Sequence, residues 1–216
     1  MKDANKTIKI LVADEQPSFL EGICSILNKT PDMNVIGMAE DGNQIKPMIS
    51  DLCPDILLFD LIMPNLSPVY LVRWIWNNYP ETASLILTAH NRDAYLANMM
   101  EAGAVGYLDK KLQTRQIVSF IRRVASGEFV FEKEQMERAT RWKSEVICKW
   151  KSLSERERET MQMLIEGAGN KKIASSLDIT IDTVEKHLKS IYKKLGVSSR
   201  TEAVVWWLEK STDFRT

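Results

Sequence analysis

Four short stretches carry side chains able to do chemistry together: Asp14 and Glu15, then Asp60, Thr88 and Lys110. Each follows an apolar run rich in Ile, Leu and Val, so each is expected at the end of a buried strand. Three acids brought together repel unless a cation sits among them, and an all-oxygen set suits magnesium or manganese. Asp60 can act as a nucleophile toward phosphorus, with the metal, Lys110 and the Thr88 hydroxyl holding phosphoryl oxygens. Taken singly, each residue has a plainer reading. An Asp at a strand end is a turn or helix cap, Thr88 a β-branched strand residue and Lys110 a solvated charge. Recurrence of such residues after one strand after another is what favours a shared site.

The elements that must position them are legible in residues 1–127. Apolar runs (IKILVAD, NVIGMA, DILLFD, SLILTA, VGYLD) alternate with helical stretches (PSFLEGICSILNK, GNQIKPMISDL, VYLVRWIWNNY, RDAYLANMMEAG, TRQIVSFIRRVAS). Five strands interleaved with five helices predict a five-stranded parallel, doubly wound α/β sheet. Ligand sites in such sheets gather at the carboxyl ends of the strands, where strand order reverses. Pro47 is costly inside a helix, so the second helix is expected to be short or to start at Lys46.

A second chemistry lies near the C-terminus. In IDTVEKHLKSIYKKLG, Val184, Leu188, Ile191 and Leu195 form an apolar stripe, and Lys186, Lys189, Lys193 and Lys194 form a basic one. An inward seam with an outward lysine ridge suits a recognition helix in a DNA major groove. Around it, LSERERETMQMLIEG opens on a capping-box spacing at Ser154 and Glu157 and ends in Gly167. NKKIASSL, with Asn170 as its cap, is separated by DIT from the basic helix, which Gly196 ends. SSRTEAVVWWLEK repeats the capping spacing at Ser199 and Glu202. Four helices with a tight turn between the second and third predict an all-α helix-turn-helix unit.

Composition sets the limits. At 216 residues and 44% hydrophobic, two domains are expected. Apolar runs are too short to span a membrane, MKDANKTIK has no apolar signal core, and three cysteines lack metal or disulfide spacing. The expectation is a cytoplasmic protein with reduced thiols and no membrane partner. Residues 1–127 carry 12 basic and 14 acidic side chains, 128–150 carry 5 of each, and 151–216 carry 12 and 10. Any DNA binding must therefore come from lysines gathered on one face. Residues 128–150 have no glycine or proline, and Met136, Trp142, Val146 and Trp150 recur at roughly helical spacing, so a helical linker is predicted before the domain of residues 151–216.

ADEQP (13–17), LLFDLIMP (57–64), LTAH (87–90) and GYLDKK (106–111) resemble the receiver domain of bacterial two-component response regulators. The resemblance implies that Asp60 is the phosphoryl acceptor, Asp14 and Glu15 the acidic metal pair, Thr88 the switch hydroxyl, Tyr107 the switch aromatic and Lys110 the phosphate-binding lysine. LSERERE, EGAGNKKIASSLDIT and TVEKHLKSIYKKLGVSSRTEAV resemble the LuxR-type DNA-binding domain. This implies Glu185, Lys186 and Lys189 as base-edge readers, and Lys171, Thr183, His187, Lys193 and Lys194 as backbone contacts.

Together the two resemblances imply a NarL/FixJ-class regulator that is not an enzyme. A sensor histidine kinase would phosphorylate Asp60, and a homodimer would read two half-sites of double-stranded promoter DNA. On the terminal helix, Trp206 and Trp207 lie about 100° apart, which predicts one tryptophan buried and the other offered to a dimer partner. Two departures support an alternative, a phosphorylation-independent LuxR-type factor. Glu15 stands where the family usually has Asp, and the loop PNLSP (64–68) lacks the family's usual glycine.

Overall fold

The computed structural model describes residues 7–210, with side chains through Leu208. Most of the segment read for a signal core (1–6) and the last six residues of the C-terminal domain lie outside the described residues. The chain divides into two compact units, Met1–Ala139 and Thr140–Thr216.

In the first unit the strands are β1 (Ile8–Ala13), β2 (Met33–Ala39), β3 (Ile56–Phe59), β4 (Ala83–Thr88) and β5 (Gly106–Asp109). The helices between and after them are α1 (Pro17–Asn28), α2 (Gly42–Leu52), α3 (Pro68–Asn78), α4 (Asp93–Ala102) and α5 (Thr114–Ala125). All strand pairs are parallel, in the order β2-β1-β3-β4-β5. The chain steps from β1 outward to β2 and then back across to β3, so the order reverses between β1 and β3. Crossover helices cover both faces, which is why ILLF of β3 is buried at every position. On one face Ile10, Val12, Ile56, Leu58, Leu85 and Leu87 pack with Leu20, Ile23 and Leu27 of α1 and Ile117, Ile121 and Val124 of α5. Alternate strand residues such as Leu11, Leu57 and Ile86 point the other way, toward the side of α2, α3 and α4.

Helix α2 corrects one expectation. It begins at Gly42, not Lys46, and contains Pro47. Asp41 accepts from the Asn43 N–H at 2.8 Å, and the Gln44 side chain accepts from the backbone of Glu40 and Asp41. That capping box fixes the first turn. Ile45 and Ile49, on either side of the proline, are fully buried, and their burial offsets the one backbone hydrogen bond that Pro47 cannot make.

A helix α6 (Lys133–Lys151) crosses the boundary between the units. In the second unit follow α7 (Glu155–Ile165), α8 (Asn170–Leu177), α9 (Ile181–Leu195) and α10 (Arg200–Lys210). Val184, Leu188, Ile191 and Leu195 form the buried stripe of α9 and meet Met161, Leu164, Ile173 and Ala203. The turn between α8 and α9 uses Asp178 at φ 54°, a left-handed conformation that Asp tolerates better than most residues. The cap of α8 is Gly169; Asn170 is already helical and its Oδ1 accepts from Arg200.

Candidate functional site

The reversal between β1 and β3 brings Asp14 and Asp60 side by side. Both acids are buried, at 2% and 4% exposure. Lys110, just after β5, reaches between them: its Nζ lies 2.6 Å from Asp14 Oδ2 and 2.6 Å from Asp60 Oδ2. The Thr88 hydroxyl, at the end of β4, donates to Asp60 Oδ1 at 2.6 Å. Four of the residues singled out in the sequence are therefore in one hydrogen-bonded cluster. Burial works against the Lys110 ammonium, but the bonds to Asp14 and Asp60 outweigh it and hold its pKa above the usual lysine value. Lys110 Nζ also lies 4.6 Å from the centroid of the Phe19 ring, a cation–π contact between residues 91 positions apart that no local pattern could pair.

Backbone groups complete the polar shell. Asp60 Oδ1 also accepts from the Ile62 N–H at 3.3 Å, and Asp14 Oδ1 accepts from Gln16 N–H at 3.0 Å. Beyond Thr88, its Oγ1 accepts from His90 N–H at 3.3 Å, and the buried Tyr107 hydroxyl donates to the His90 carbonyl. Burial, with the nearby Asp60 charge second, pushes the Tyr107 phenol well above its ordinary pKa, so it stays a donor.

Glu15 is exposed, and among the described residues no three His, Cys, Asp or Glu side chains are grouped to hold a metal. The donors that converge are Asp14 and Asp60, hard oxygens that suit magnesium or manganese. PNLSP supplies its own turn. Asn65 takes φ 56° and its amide donates to Asp41 Oδ2 at 2.7 Å, while Pro64 accepts from Gly42 N–H at 2.9 Å. A side chain on Gly42 would come within 2.8 Å of the Leu66 backbone, so the glycine that this loop requires lies in α2.

In the second unit α9 exposes Glu185, Lys186, Lys189 and Lys193, and α8 exposes Lys171. Thr183 and His187 are half-buried. Thr183 Oγ1 lies 2.8 Å from the capping Thr180 hydroxyl, and Lys186 pairs with Asp182 at 2.7 Å. Lys194 points elsewhere. Its ammonium is 2.6 Å from Glu157 Oε2, and Glu157 also accepts from Ser190 Oγ and Ser154 N–H, each at 2.6 Å. Burial alone would raise the Glu157 pKa, but these donors bring it down to about 2. The capping role of Glu157 was legible; its tie to α9, 37 residues on, was not.

The tryptophans also correct an expectation. Trp206 and Trp207 are both buried, at 6% each, because residues 140–151 of α6 contribute Val146 and Trp150 to the same core. The Trp150 and Trp207 ring centroids are 4.5 Å apart. The exposed apolar side chains of α10 are Val205 and Leu208.

Comparison with known proteins gives two family matches: "Response regulator receiver domain" over residues 10–122, and "Bacterial regulatory proteins, luxR family" over 151–207. The chain is 32% identical over 200 residues to the response regulator protein VraR of Staphylococcus aureus (strain Mu3), covering 93% of this chain and 96% of that one. Among solved structures, the response regulator RcsB of Salmonella typhimurium matches with a TM-score of 0.68 at 23% identity, covering 93% of this chain and 98% of that one. The response regulator ChrA of a heme-sensing two-component system matches with a TM-score of 0.55 at 28% identity, covering 95% and 98%.

Proposed function

The chain belongs to the response regulators that join a receiver domain to a luxR-family domain, and from that premise we propose that it is a transcription regulator switched by phosphorylation of Asp60. The observation that carries this reading is the clamp on Asp60: a buried carboxylate with an ammonium 2.6 Å from one oxygen and a hydroxyl 2.6 Å from the other. The donor is a sensor kinase phosphohistidine. One Asp60 oxygen forms the bond to phosphorus while the phosphorus–nitrogen bond breaks. The electron pair stays on the imidazole nitrogen, and the ring leaves neutral when its other nitrogen carries the proton.

In the unmodified protein Lys110 and Thr88 donate to the two Asp60 oxygens, and once the phosphoryl group is on Asp60 the same two donors would turn to its oxygens, where the charge then lies. Bound magnesium or manganese would be held by Asp14 and Asp60, with Glu15 at the rim, and would offset the negative charge of the incoming phosphoryl group.

The second unit would bind double-stranded promoter DNA through α9. Glu185, Lys186 and Lys189 are read as facing base edges, with Lys171, Thr183, His187 and Lys193 toward phosphates. Two copies would read two half-sites, and Val205 and Leu208 are the apolar side chains that α10 could offer to a partner.

A second reading, regulation without phosphorylation, is favoured by Lys110 bridging both buried acids while Glu15 is exposed. Intact mass after incubation with magnesium and acetyl phosphate decides between them. An adduct on the wild type and none on Asp60→Asn supports the first reading. No adduct on folded wild type, with specific DNA binding retained, supports the second.

A further inference from the structure

The first turns of α6 grip the loop between β4 and α4, residues 89–92, and nothing in the phosphoryl chemistry requires that grip. Arg138 donates from Nε to Asp93 Oδ1 at 2.8 Å, from Nη2 to the same oxygen at 2.5 Å, and from Nη2 to the Asn91 carbonyl at 3.1 Å. Its side chain is only 21% exposed. One turn earlier, Gln135 donates to the Tyr107 carbonyl at 2.8 Å, and its amide oxygen accepts from Glu132 N–H at 3.0 Å. All of these residues belong to the first unit.

The loop that Arg138 holds follows directly on Thr88, the last residue of β4. His90 N–H donates to Thr88 Oγ1, the Tyr107 hydroxyl donates to the His90 carbonyl, and the next carbonyl, of Asn91, takes the Arg138 bond. Asp60 Oδ1, Thr88 Oγ1, the His90 and Asn91 backbone and the Arg138 guanidinium thus form one connected path.

We infer that Arg138, seconded by Gln135, is a positioning residue for the phosphoryl site, holding Thr88 in the place where its hydroxyl is spent on unmodified Asp60. The inference rests on Asp60 being the acceptor. A phosphoryl group on Asp60 sets new acceptor oxygens beyond Oδ1. Thr88 reaches them by moving with His90 and Asn91, and that movement strains the Arg138 bonds. Whatever the clamp adds to the resting loop it subtracts from the phosphorylated one, and the coupling is reciprocal. Phosphorylation therefore loosens the start of α6, the helix that runs on covalently into the second unit.

The test is the rate of phosphorylation by acetyl phosphate with magnesium, followed by intact mass. Arg138→Ala is expected to speed it about fivefold, near the lower end of typical couplings between sites, and Asp93→Ala, which leaves the bond to the Asn91 carbonyl, by less. The double variant should match Arg138→Ala alone, because Asp93 acts on the loop only through that guanidinium. Arg138→Lys, which lacks the fork to serve Asp93 and Asn91 together, should fall between. A purely structural Arg138 would lower the melting temperature without raising the rate, and that result overturns the inference.

Hydrogen exchange separates the two premises. In the unphosphorylated protein, Arg138→Ala should exchange faster at residues 89–93, and unchanged exchange there sinks the clamp whatever Asp60 does. Wild type that takes no phosphoryl group sinks the acceptor reading instead, and with it the positioning role.

Discussion

Each unit is centred on a lysine ammonium 2.6 Å from a buried carboxylate, and the two contacts serve different ends. In the second unit one carboxylate, Glu157, meets one lysine, one hydroxyl and one backbone N–H. Its charge is balanced and both of its oxygens accept hydrogen bonds, so it fastens α7 to α9. In the first unit two carboxylates share the single Lys110, leaving one negative charge uncompensated at the sheet edge. The lesson is that stoichiometry, not distance, separates a fastening from a reactive site. Here the balanced pair joins two helices, whereas the two carboxylates around one ammonium leave excess negative charge that a hard cation can offset.

The largest test of that contrast is all-or-none. Asp60→Asn is expected to abolish phosphoryl uptake while leaving the melting temperature of the receiver unchanged or raised, since two carboxylates around one ammonium repel. A clear loss of stability would make Asp60 a structural residue like Glu157 and dissolve the distinction.

Glu157→Gln should do the opposite. Stability of the second unit falls by about 2–3 kcal/mol, read from the urea midpoint, as Lys194 and Ser190 lose a charged acceptor. The same fastening has a pH signature. The Glu157 pKa is lowered from 4.5 to about 2 on folding. Its contribution is therefore fully present above about 4.5 and is lost as pH falls through about 2. Acid unfolding of the second unit should steepen in that window, and Glu157→Gln should flatten the profile.

The smallest effect distinguishes neighbouring lysines. Lys193→Ala should lower the slope of log affinity for DNA against log salt by about one unit. Lys194→Ala should leave that slope unchanged and reduce the stability of the unit instead. Equal changes in slope would return Lys194 to the DNA face.

These contrasts mark how far the sequence could be read. Parallel strands buried on both faces must be almost continuously apolar, so ILLF announced β3 and the edge that Asp60 occupies. Val184, Leu188, Ile191 and Leu195 gave the inward side of α9 through helical period alone. Pro47 misled because a local cost of one hydrogen bond was set against no knowledge of the capping box and the buried isoleucines that offset it. The pair Trp206 and Trp207 misled because angular position on α10 could not reveal that the α6 segment supplies Trp150 to cover Trp207, leaving both buried.

By itself, then, the sequence determined which segments become strands and helices, which ends carry acids, hydroxyls and lysines, and where the lysine stripe of α9 lies. These follow from local period and local caps, which act within a few residues. Tertiary structure alone decided how charges are shared: Lys110 between Asp14 and Asp60, Lys194 on Glu157, and Arg138 on Asp93 beside the loop that follows Thr88. Those partners lie tens of residues apart, and only the order of strands and the packing of helices brings them within a hydrogen bond.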